Sequence, residues 1–497
     1  MSTGGTLAFA LSGGFLLAFV ATALIDIGLL SAWVTTAYAW SVKYFGAYWQ
    51  VFALANFFIA LLVALSPAGN TNIGSLPQPE MPTFKWFSVI LCTLLAAGGV
   101  FFAAAEPIAH FVSSPPLFDV SAGAQQLAHN ALAQTYFHWG YLSWAMYGGM
   151  ATMVLAHLHY EKGLPLRPRT LLYPLLGRWV MDSWFGSVID AACIVAVAAG
   201  TVGPIGFLGL QVSYGLAALF GTPDVYLTQS MIIVFLIGVY TLSTVSGIHR
   251  GIQLLSTFNV ILALCLMGFI LMFGPTQFIL QSFLNANAIE VRQLVPMALF
   301  RGDDAWLSTW SIFYFGWFVG YAPLMAMFVV RISNGRSIRQ MIFAISLFAP
   351  IATSFWISVV GGTGLAMEIA EAGIISKPFE GFNMPAALLA ITQNLPYGFI
   401  VSILFLVLTT IFVATTGDSM TYTISMVLSG SDDPPRVVRL FWGVMLGVLA
   451  IILLKLGSGG IAALQSFIVI TAVPVSIIVL PTLWYGLVLA TTLGRDQ

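Results

Sequence analysis

Apolar runs long enough to cross a lipid bilayer recur along the whole chain, separated by brief polar stretches. A bilayer core requires about 20 apolar residues per helix. Twelve segments meet that length, near 8–30, 47–66, 86–113, 136–160, 186–218, 226–246, 253–283, 304–331, 343–366, 395–428, 437–455 and 464–490. Several are longer than a bilayer needs, and such helices tilt, break or project beyond it. The longest polar break, NANAIEVRQLVPMALFRGDD over 284–303, carries apolar spacing that predicts an amphipathic helix lying along the membrane surface. It separates spans three to seven from spans eight to twelve. The pattern therefore divides the chain into two leading helices over 1–80, a five-helix unit over 81–283, the surface helix over 284–303, a second five-helix unit over 304–490 and a short tail over 491–497.

Both five-helix units open on a weakened helix. Span three reads LAAGGVFFAAAEP, with Ala96, Ala97, Gly98 and Gly99 near its middle, and span eight carries Gly316, Gly320 and Pro323. Interruptions at corresponding positions of two halves point to an inverted-repeat transporter with its site near the midplane. An odd number of spans per unit places the halves in opposite orientations. The same glycines also suit close helix packing, which is common in membranes.

Composition narrows the class. With 59% hydrophobic and 7% charged residues, the chain is no ordinary soluble protein. If the amino terminus is cytoplasmic, twelve of the 17 basic residues lie inside, leaving Lys43, Arg292, Arg301, Lys377 and Lys455 outside. That bias predicts both termini in the cytoplasm. The first 25 residues have no basic region ahead of the apolar run, so no cleaved signal is expected. Cys92, Cys193 and Cys265 all fall in spans and read as packing residues. Short termini predict no sizeable regulatory tail, and no nucleic-acid partner is expected.

Candidate chemistry lies in the aromatic residues. Trp310, Phe313, Trp317 and Tyr321 are spaced by 3, 4 and 4, so they share one narrow helical face. Span four adds Trp139, Trp144 and Tyr147, the latter two about 140° and 80° around the helix from the first. Two such groups suit a cage for a quaternary ammonium or sulfonium head, which ring faces attract by about 2 kcal/mol or more once dehydrated. The alternative is packing against neighbours or lipid.

Six ordered motifs then carry a family resemblance: AAAEPIAHF at 103–111, FHWGYLSWAMY at 137–147, GLPLRPRTLLYPLLG at 163–177, WSIFYFGWFVGYAP at 310–323, RISNGRSIRQ at 331–340 and FVATTGDS at 412–419. Together they resemble the betaine/choline/carnitine transporters over residues from about 40 to 460. The resemblance implies an all-α membrane protein of twelve transmembrane helices, with a LeuT-like 5+5 inverted repeat in spans three to twelve behind two extra helices. It also implies a homotrimer in the bacterial cytoplasmic (inner) membrane.

Matched by position, Trp139, Trp144 and Tyr147 stand at the family's cage positions on span four, and Trp317 at its first tryptophan on span eight. Phe313 belongs to the same face, and Phe318 and Tyr321 replace further family tryptophans. In span three the family's alternating glycines survive at Gly98, with Ala96 and Leu94 at the others. Main-chain groups from Ala96, Ala97 and Gly98 would take an anionic end of the substrate. With no acid between Glu80 and Glu106, a betaine-like or sulfonium zwitterion is favoured over choline.

The resemblance also implies sodium as coupling ion, held by Thr415 and Thr416 with carbonyls of Phe412, Cys92 and Leu95. Thr415 and Thr416 equally suit bonding back to their own helix. A second sodium site is limited to Thr201, because Val197 stands where the other hydroxyl is expected. Sodium-independent relatives carry an arginine at the ion position, and span seven has none between Arg250 and Arg292.

Of the intramembrane acids, Asp26 falls in span one, Glu106 near the end of span three, Asp190 at the start of span five and Asp418 beside the threonine pair. The six histidines form no pair at helical ligand spacing, which argues against a metal or haem enzyme. The expectation is a sodium-coupled symporter of a small onium zwitterion, without organic cofactor. A sodium-independent exchanger of the same family and a small-solute channel are the rivals.

Overall fold

The computed structural model describes residues 3–494 apart from 75, 96–97, 247–248, 432 and 457–460; side chains at 92–98 and 242–254 also lie outside the description. The first part of the chain forms α1 (Thr3–Ile25), α2 (Ile27–Leu65), α3 (Thr83–Leu95), α4 (Gly98–Val112), α5 (Ala124–Trp139), α6 (Tyr141–Gly148) and α7 (Met150–Tyr160). Two short helices follow, α8 (Tyr173–Leu176) and α9 (Arg178–Asp182), then α10 (Trp184–Phe220), α11 (Tyr226–Ser246), α12 (His249–Phe273) and α13 (Thr276–Ala298). The rest comprises α14 (Asp304–Thr309), α15 (Ser311–Ile332), α16 (Ile338–Phe343), α17 (Ala349–Ala370), α18 (Met384–Gln393), α19 (Gly398–Ser429), α20 (Arg436–Lys455), α21 (Ile461–Val479) and α22 (Pro481–Leu493). Among the described residues there is no β-strand, and Asn72 and Ser337 form an isolated bridge.

Nine described helical stretches are long and apolar enough to cross a membrane, and three more apolar helices, Gly99–Val112, Tyr226–Thr241 and Met384–Gln393, are shorter. The chain is an all-helical, multi-span membrane protein. Hydropathy located most of these elements because lipid leaves helices as the only open-chain way to satisfy backbone groups. It could not see where a helix continues past its apolar stretch. Thus α2 runs 39 residues and starts at Ile27, far ahead of the predicted 47. Asp26 is not inside span one but caps α2, accepting a hydrogen bond from the Leu29 amide at 3.0 Å. The surface helix begins at Thr276 and ends at Ala298, earlier than 284–303. Span nine is α16 and α17 joined by a π-helical turn over Ala344–Phe348. Span twelve is divided between α21 and α22, with Pro481 at the first position of the second piece. Helix α18 has no counterpart in the prediction, being too short to register as a span.

The predicted interruption of span eight is absent. Helix α15 passes unbroken through Gly316, Gly320 and Pro323, and the discontinuity falls at Trp310, between α14 and α15. Packing explains the glycines. A methyl at Gly316 would meet the Trp49 ring at 3.0 Å and Val469 at 3.4 Å, and one at Gly320 would meet Ala472 and Ala196. The bare backbone lets α15 sit tightly against α2, α10 and α21. Nearly every residue of α15 from Ser311 to Val330 is buried. On span three, α3 ends at Leu95 and α4 begins at Gly98; Ala96 and Ala97 lie outside the described residues.

Candidate functional site

The broken helix is span four. It divides into α5, α6 and α7 at Gly140 (φ −107°, ψ −137°) and Gly149 (φ −90°, ψ −140°). Neither position admits a side chain. A Cβ at Gly140 would overlap the Tyr136 carbonyl oxygen and approach Glu290 Oε1 to 2.6 Å; one at Gly149 would overlap the Ala145 carbonyl oxygen and approach Asn56 Nδ2 to 2.7 Å. Backbone groups released by a break in apolar surroundings need new partners. Here hydroxyls and one amide supply them. Ser143 Oγ donates to the His138 carbonyl at 2.6 Å and Thr152 Oγ1 to the Tyr147 carbonyl at 2.5 Å. Asn56 of α2 bridges the second break, donating from Nδ2 to the Ala145 carbonyl at 2.8 Å and accepting from the Met150 amide at 3.3 Å. The sequence signal was present as a glycine followed three residues later by Ser or Thr, twice within 137–152.

The breaks set the rings. Trp139 ends α5, while Trp144 and Tyr147 lie on the two-turn α6 that packs against α15. The Trp139 ring centroid is 5.9 Å from Trp317 and 6.0 Å from Phe318, both near edge-to-face. Tyr147 lies 5.0 Å from Phe318, Trp144 lies 6.2 Å from Tyr147, and Phe313 lies 5.4 Å from Trp317. These spacings are those of interacting aromatic pairs. The structure therefore joins Trp139, Trp144, Tyr147, Phe313, Trp317 and Phe318 in one buried network. None of the six is more than 7% exposed. The Trp144 Nε1 donor is buried and has no hydrogen-bond partner among the described residues.

Tyr321 sits one turn further along α15. Its hydroxyl hydrogen-bonds Thr201 Oγ1 at 2.6 Å, and Thr201 in turn donates to the Val197 carbonyl at 2.8 Å. Gly200 makes room for this ring: a Cβ there would overlap Tyr321 Cε2 and lie 3.1 Å from Trp317 Nε1. Gly200→Ala is expected to displace both rings and weaken ligand binding at least tenfold, with every aromatic side chain still present. Ligand titration of the purified variant checks this. Trp310, the first ring of the predicted file, is turned elsewhere and packs 4.5 Å from the His110 ring.

A polar cluster missed in the sequence backs the rings. Glu106, fully buried on α4, receives Trp139 Nε1–H at 2.9 Å and Tyr314 O–H at 2.5 Å on Oε2. Its Oε1 lies 2.5 Å from His138 Nδ1 and 3.3 Å from His110 Nε2. One carboxylate thus ties α4, α5 and α15 together and orients the Trp139 indole. The histidines indeed form no pair at helical ligand spacing, yet the fold brings Glu106, His110 and His138 together with donor atoms all within 4.8 Å of one another. Counting only histidine pairs overlooked a carboxylate four residues before His110 and a histidine on the next helix.

Of the other buried acids, Asp190 and Asp418 face arginines, whereas both carboxylate oxygens of the fully buried Glu290 lack a hydrogen-bond partner among the described residues. Asp190 meets Arg169, with Nε to Oδ2 at 2.8 Å. Asp418 lies 3.6 Å from Arg439, whose guanidinium stacks over the Tyr422 ring at 5.2 Å. Of the predicted ion ligands, Thr415 Oγ1 donates to its own helix, to the Ile411 carbonyl at 2.9 Å and the Phe412 carbonyl at 3.0 Å. Thr416 is buried on α19 one residue further. Ala96 and Ala97 lie outside the described residues, as do the side chains of Cys92 and Leu95.

Comparison with known proteins adds to this geometry. Residues 7–493 match the model of the BCCT family, betaine/carnitine/choline family transporters. The chain belongs to the betaine/carnitine/choline transporter family. It is 56% identical to glycine betaine transporter 2 of Vibrio parahaemolyticus over 489 residues, 98% of this chain and 90% of that protein. It is 32% identical to the glycine betaine transporter OpuD of Bacillus subtilis, over 87% of this chain and 84% of the relative. A glycine betaine transporter of Acinetobacter baylyi is 30% identical over 94% of this chain and 69% of its own length. The family consists of transporters, not enzymes. Family membership also accounts for the six ordered motifs, four of which, AAAEPIAHF, FHWGYLSWAMY, WSIFYFGWFVGYAP and FVATTGDS, fall on α4, α5–α6, the Trp310–α15 stretch and α19.

Proposed function

We propose that this family member is a sodium-coupled symporter that imports a small quaternary-ammonium or sulfonium zwitterion of the betaine type by alternating access. The observation that carries the reading is the buried meeting of α5–α6 rings with α15 rings around Trp139, Trp317 and Phe318. A methylated onium head donates no ordinary hydrogen bond, so a protein holds it best with ring faces. The buried Trp144 N–H supplies a donor suited to the carboxylate end. Printed names of the relatives, glycine betaine transporters at 56% and 32% identity, support the same substrate class.

In this reading Trp139, Trp144, Tyr147, Trp317 and Phe318 enclose the head group, and Phe313 and Tyr321 close the ends of the cage. Backbone groups at Ala96, Ala97 and Gly98 join the anionic end. The twelve spans fold as two inverted five-helix units behind two extra helices. The molecules assemble as homotrimers in the bacterial inner membrane with both termini cytoplasmic.

The hydroxyls of Thr415 and Thr416 and the carbonyls of Phe412, Cys92 and Leu95 form a hard-oxygen donor set that suits sodium. Sodium supplies a positive charge that links α19 to α3 and favours the substrate-competent state. Coupling requires both ligands to favour that same state. Thr201 with Tyr321 offers a weaker second place, since Val197 contributes only its carbonyl.

Uptake of radiolabelled glycine betaine into proteoliposomes tests the coupling. Uptake is expected to rise at least tenfold when an inward sodium gradient replaces potassium, and Thr416→Ala is expected to abolish most of that rise. Equal uptake in the two cations rejects sodium coupling. It would favour the second reading, a sodium-independent exchanger, which the back-bonded Thr415 hydroxyl already suits.

A further inference from the structure

We propose that Glu106, His110 and His138 form a binding site for a borderline divalent metal ion, zinc in the first instance, which locks the helices that carry the cage. Two imidazoles and a carboxylate are a donor set that zinc takes with a fourth position left open. Glu106 and His110 are one helical turn apart on α4, and His138 comes from α5. All three side chains are buried, with exposures of 0%, 1% and 0%.

The spacing is close to what coordination needs. Bonds of about 2.0–2.2 Å in tetrahedral geometry place ligand atoms about 3.3–3.5 Å apart. The 3.3 Å between Glu106 Oε1 and His110 Nε2 already matches. The 2.5 Å between Oε1 and His138 Nδ1 must open by about 0.8 Å. His110 Nδ1 has no hydrogen-bond partner among the described residues, and the ring keeps one long hydrogen bond while packing 4.5 Å from Trp310. On binding, each neutral imidazole changes tautomer: the hydrogen on His138 Nδ1 moves to its Nε2 and that on His110 Nε2 moves to its Nδ1, which frees the two lone pairs for the metal.

Outer partners are in place. Ser311 Oγ, 2.9 Å from His138 Nε2, can accept the Nε2–H of a ring metallated at Nδ1, and the Gln134 amide, whose nitrogen lies 3.1 Å away, serves too once it turns to present its oxygen. Glu106 Oε2 is held by Trp139 and Tyr314. His110 is two residues from the end of α4, where Val112 is exposed. The metal would cross-link α4 and α5 through its ligands and reach α15 through Ser311 and Tyr314. Since α4, α5 and α15 must move relative to their neighbours in alternating access, an ion bound here inhibits uptake. That effect rests on the transport reading; the binding does not.

Zinc chloride titrated into purified protein, with zinc K-edge X-ray absorption on the loaded sample, tests the site. The expected result is one zinc with a nitrogen and oxygen shell and the multiple-scattering signature of two imidazoles. His110→Ala is expected to lower affinity at least 30-fold. A sulfur shell, pointing to the exposed thiol of Cys265, overturns the proposal, as does wild-type affinity in His110→Ala. If His110→Ala fails to fold, the wild-type spectrum alone decides. In proteoliposomes that transport glycine betaine, micromolar zinc is expected to inhibit uptake, chelation to restore it, and His110→Ala to be at least tenfold less sensitive. Binding without inhibition keeps the metal site and overturns the locking.

Discussion

Trp139→Ala raises the half-saturating concentration of glycine betaine about 30-fold, the equivalent of losing about 2 kcal/mol of cation–π attraction. Trp139 stands edge-to-face with Trp317 and Phe318 at once, so its removal opens the proposed cage on the side of both. The indole also anchors to Glu106 through Nε1. Trp139→Phe separates the two contributions: it retains a ring face and loses the N–H, and is expected to cost about tenfold or less. Truncating a buried tryptophan also costs about 3–5 kcal/mol of packing. A melting curve in detergent therefore accompanies each uptake measurement. Unchanged affinity in a folded Trp139→Ala protein would remove the cage from the mechanism.

Arg169→Ala destabilises the folded protein by about 3–5 kcal/mol, because the buried Asp190 carboxylate is left without its charge partner. The pair is well enclosed, with side-chain exposures of 4% and 1%. Asp190 accepts from the Arg169 amide at 2.9 Å and from Nε at 2.8 Å, so both carboxylate oxygens are engaged by one residue. The same guanidinium donates to the Met181 carbonyl at 3.1 Å and to Ser187 Oγ at 3.2 Å, and Ser187 reaches the Gly4 carbonyl. One side chain thus fastens the 163–172 connection to α9, α10 and α1. The expected readout is a marked fall in melting temperature in detergent. Pairing the change with Asp190→Asn is expected to recover part of it, since no bare charge then remains buried. Arg169→Lys keeps the charge and the backbone bond to Oδ1 but loses the two guanidinium nitrogens that meet Oδ2, so it falls between. A melting temperature unaltered in Arg169→Ala would show that the pair contributes nothing to the fold.

The meeting of aromatic rings was partly readable in the sequence. Helical periodicity placed Phe313 and Trp317 on one face of span eight, and the structure keeps them in contact. Periodicity treated span four as one helix, however, and a single helix places Trp139, Trp144 and Tyr147 only loosely on a common side. Their convergence depends on the break at Gly140, which starts a new helix between the first ring and the other two. Trp310 shows the opposite failure. It shares the predicted face, yet the backbone turns at that residue and the ring joins His110 instead.

Sequence alone determined that the chain is an all-helical membrane protein, roughly where its helices run, and which transporter family it belongs to. Those properties follow from local composition and ordered motifs, because lipid imposes the same demand on every backbone segment. Only the tertiary structure decided which glycines break a helix and which let two helices meet. Gly140 and Gly149 break because Ser143, Thr152 and Asn56 stand ready to satisfy the freed backbone groups. Gly316 and Gly320 do not, because Trp49, Val469, Ala472 and Ala196 fill the space beside an intact helix. The partners of Glu106 and Asp190 were likewise decided by the fold. A buried charge is matched by whichever group packing brings within about 3 Å, and separation along the chain carries no record of that distance.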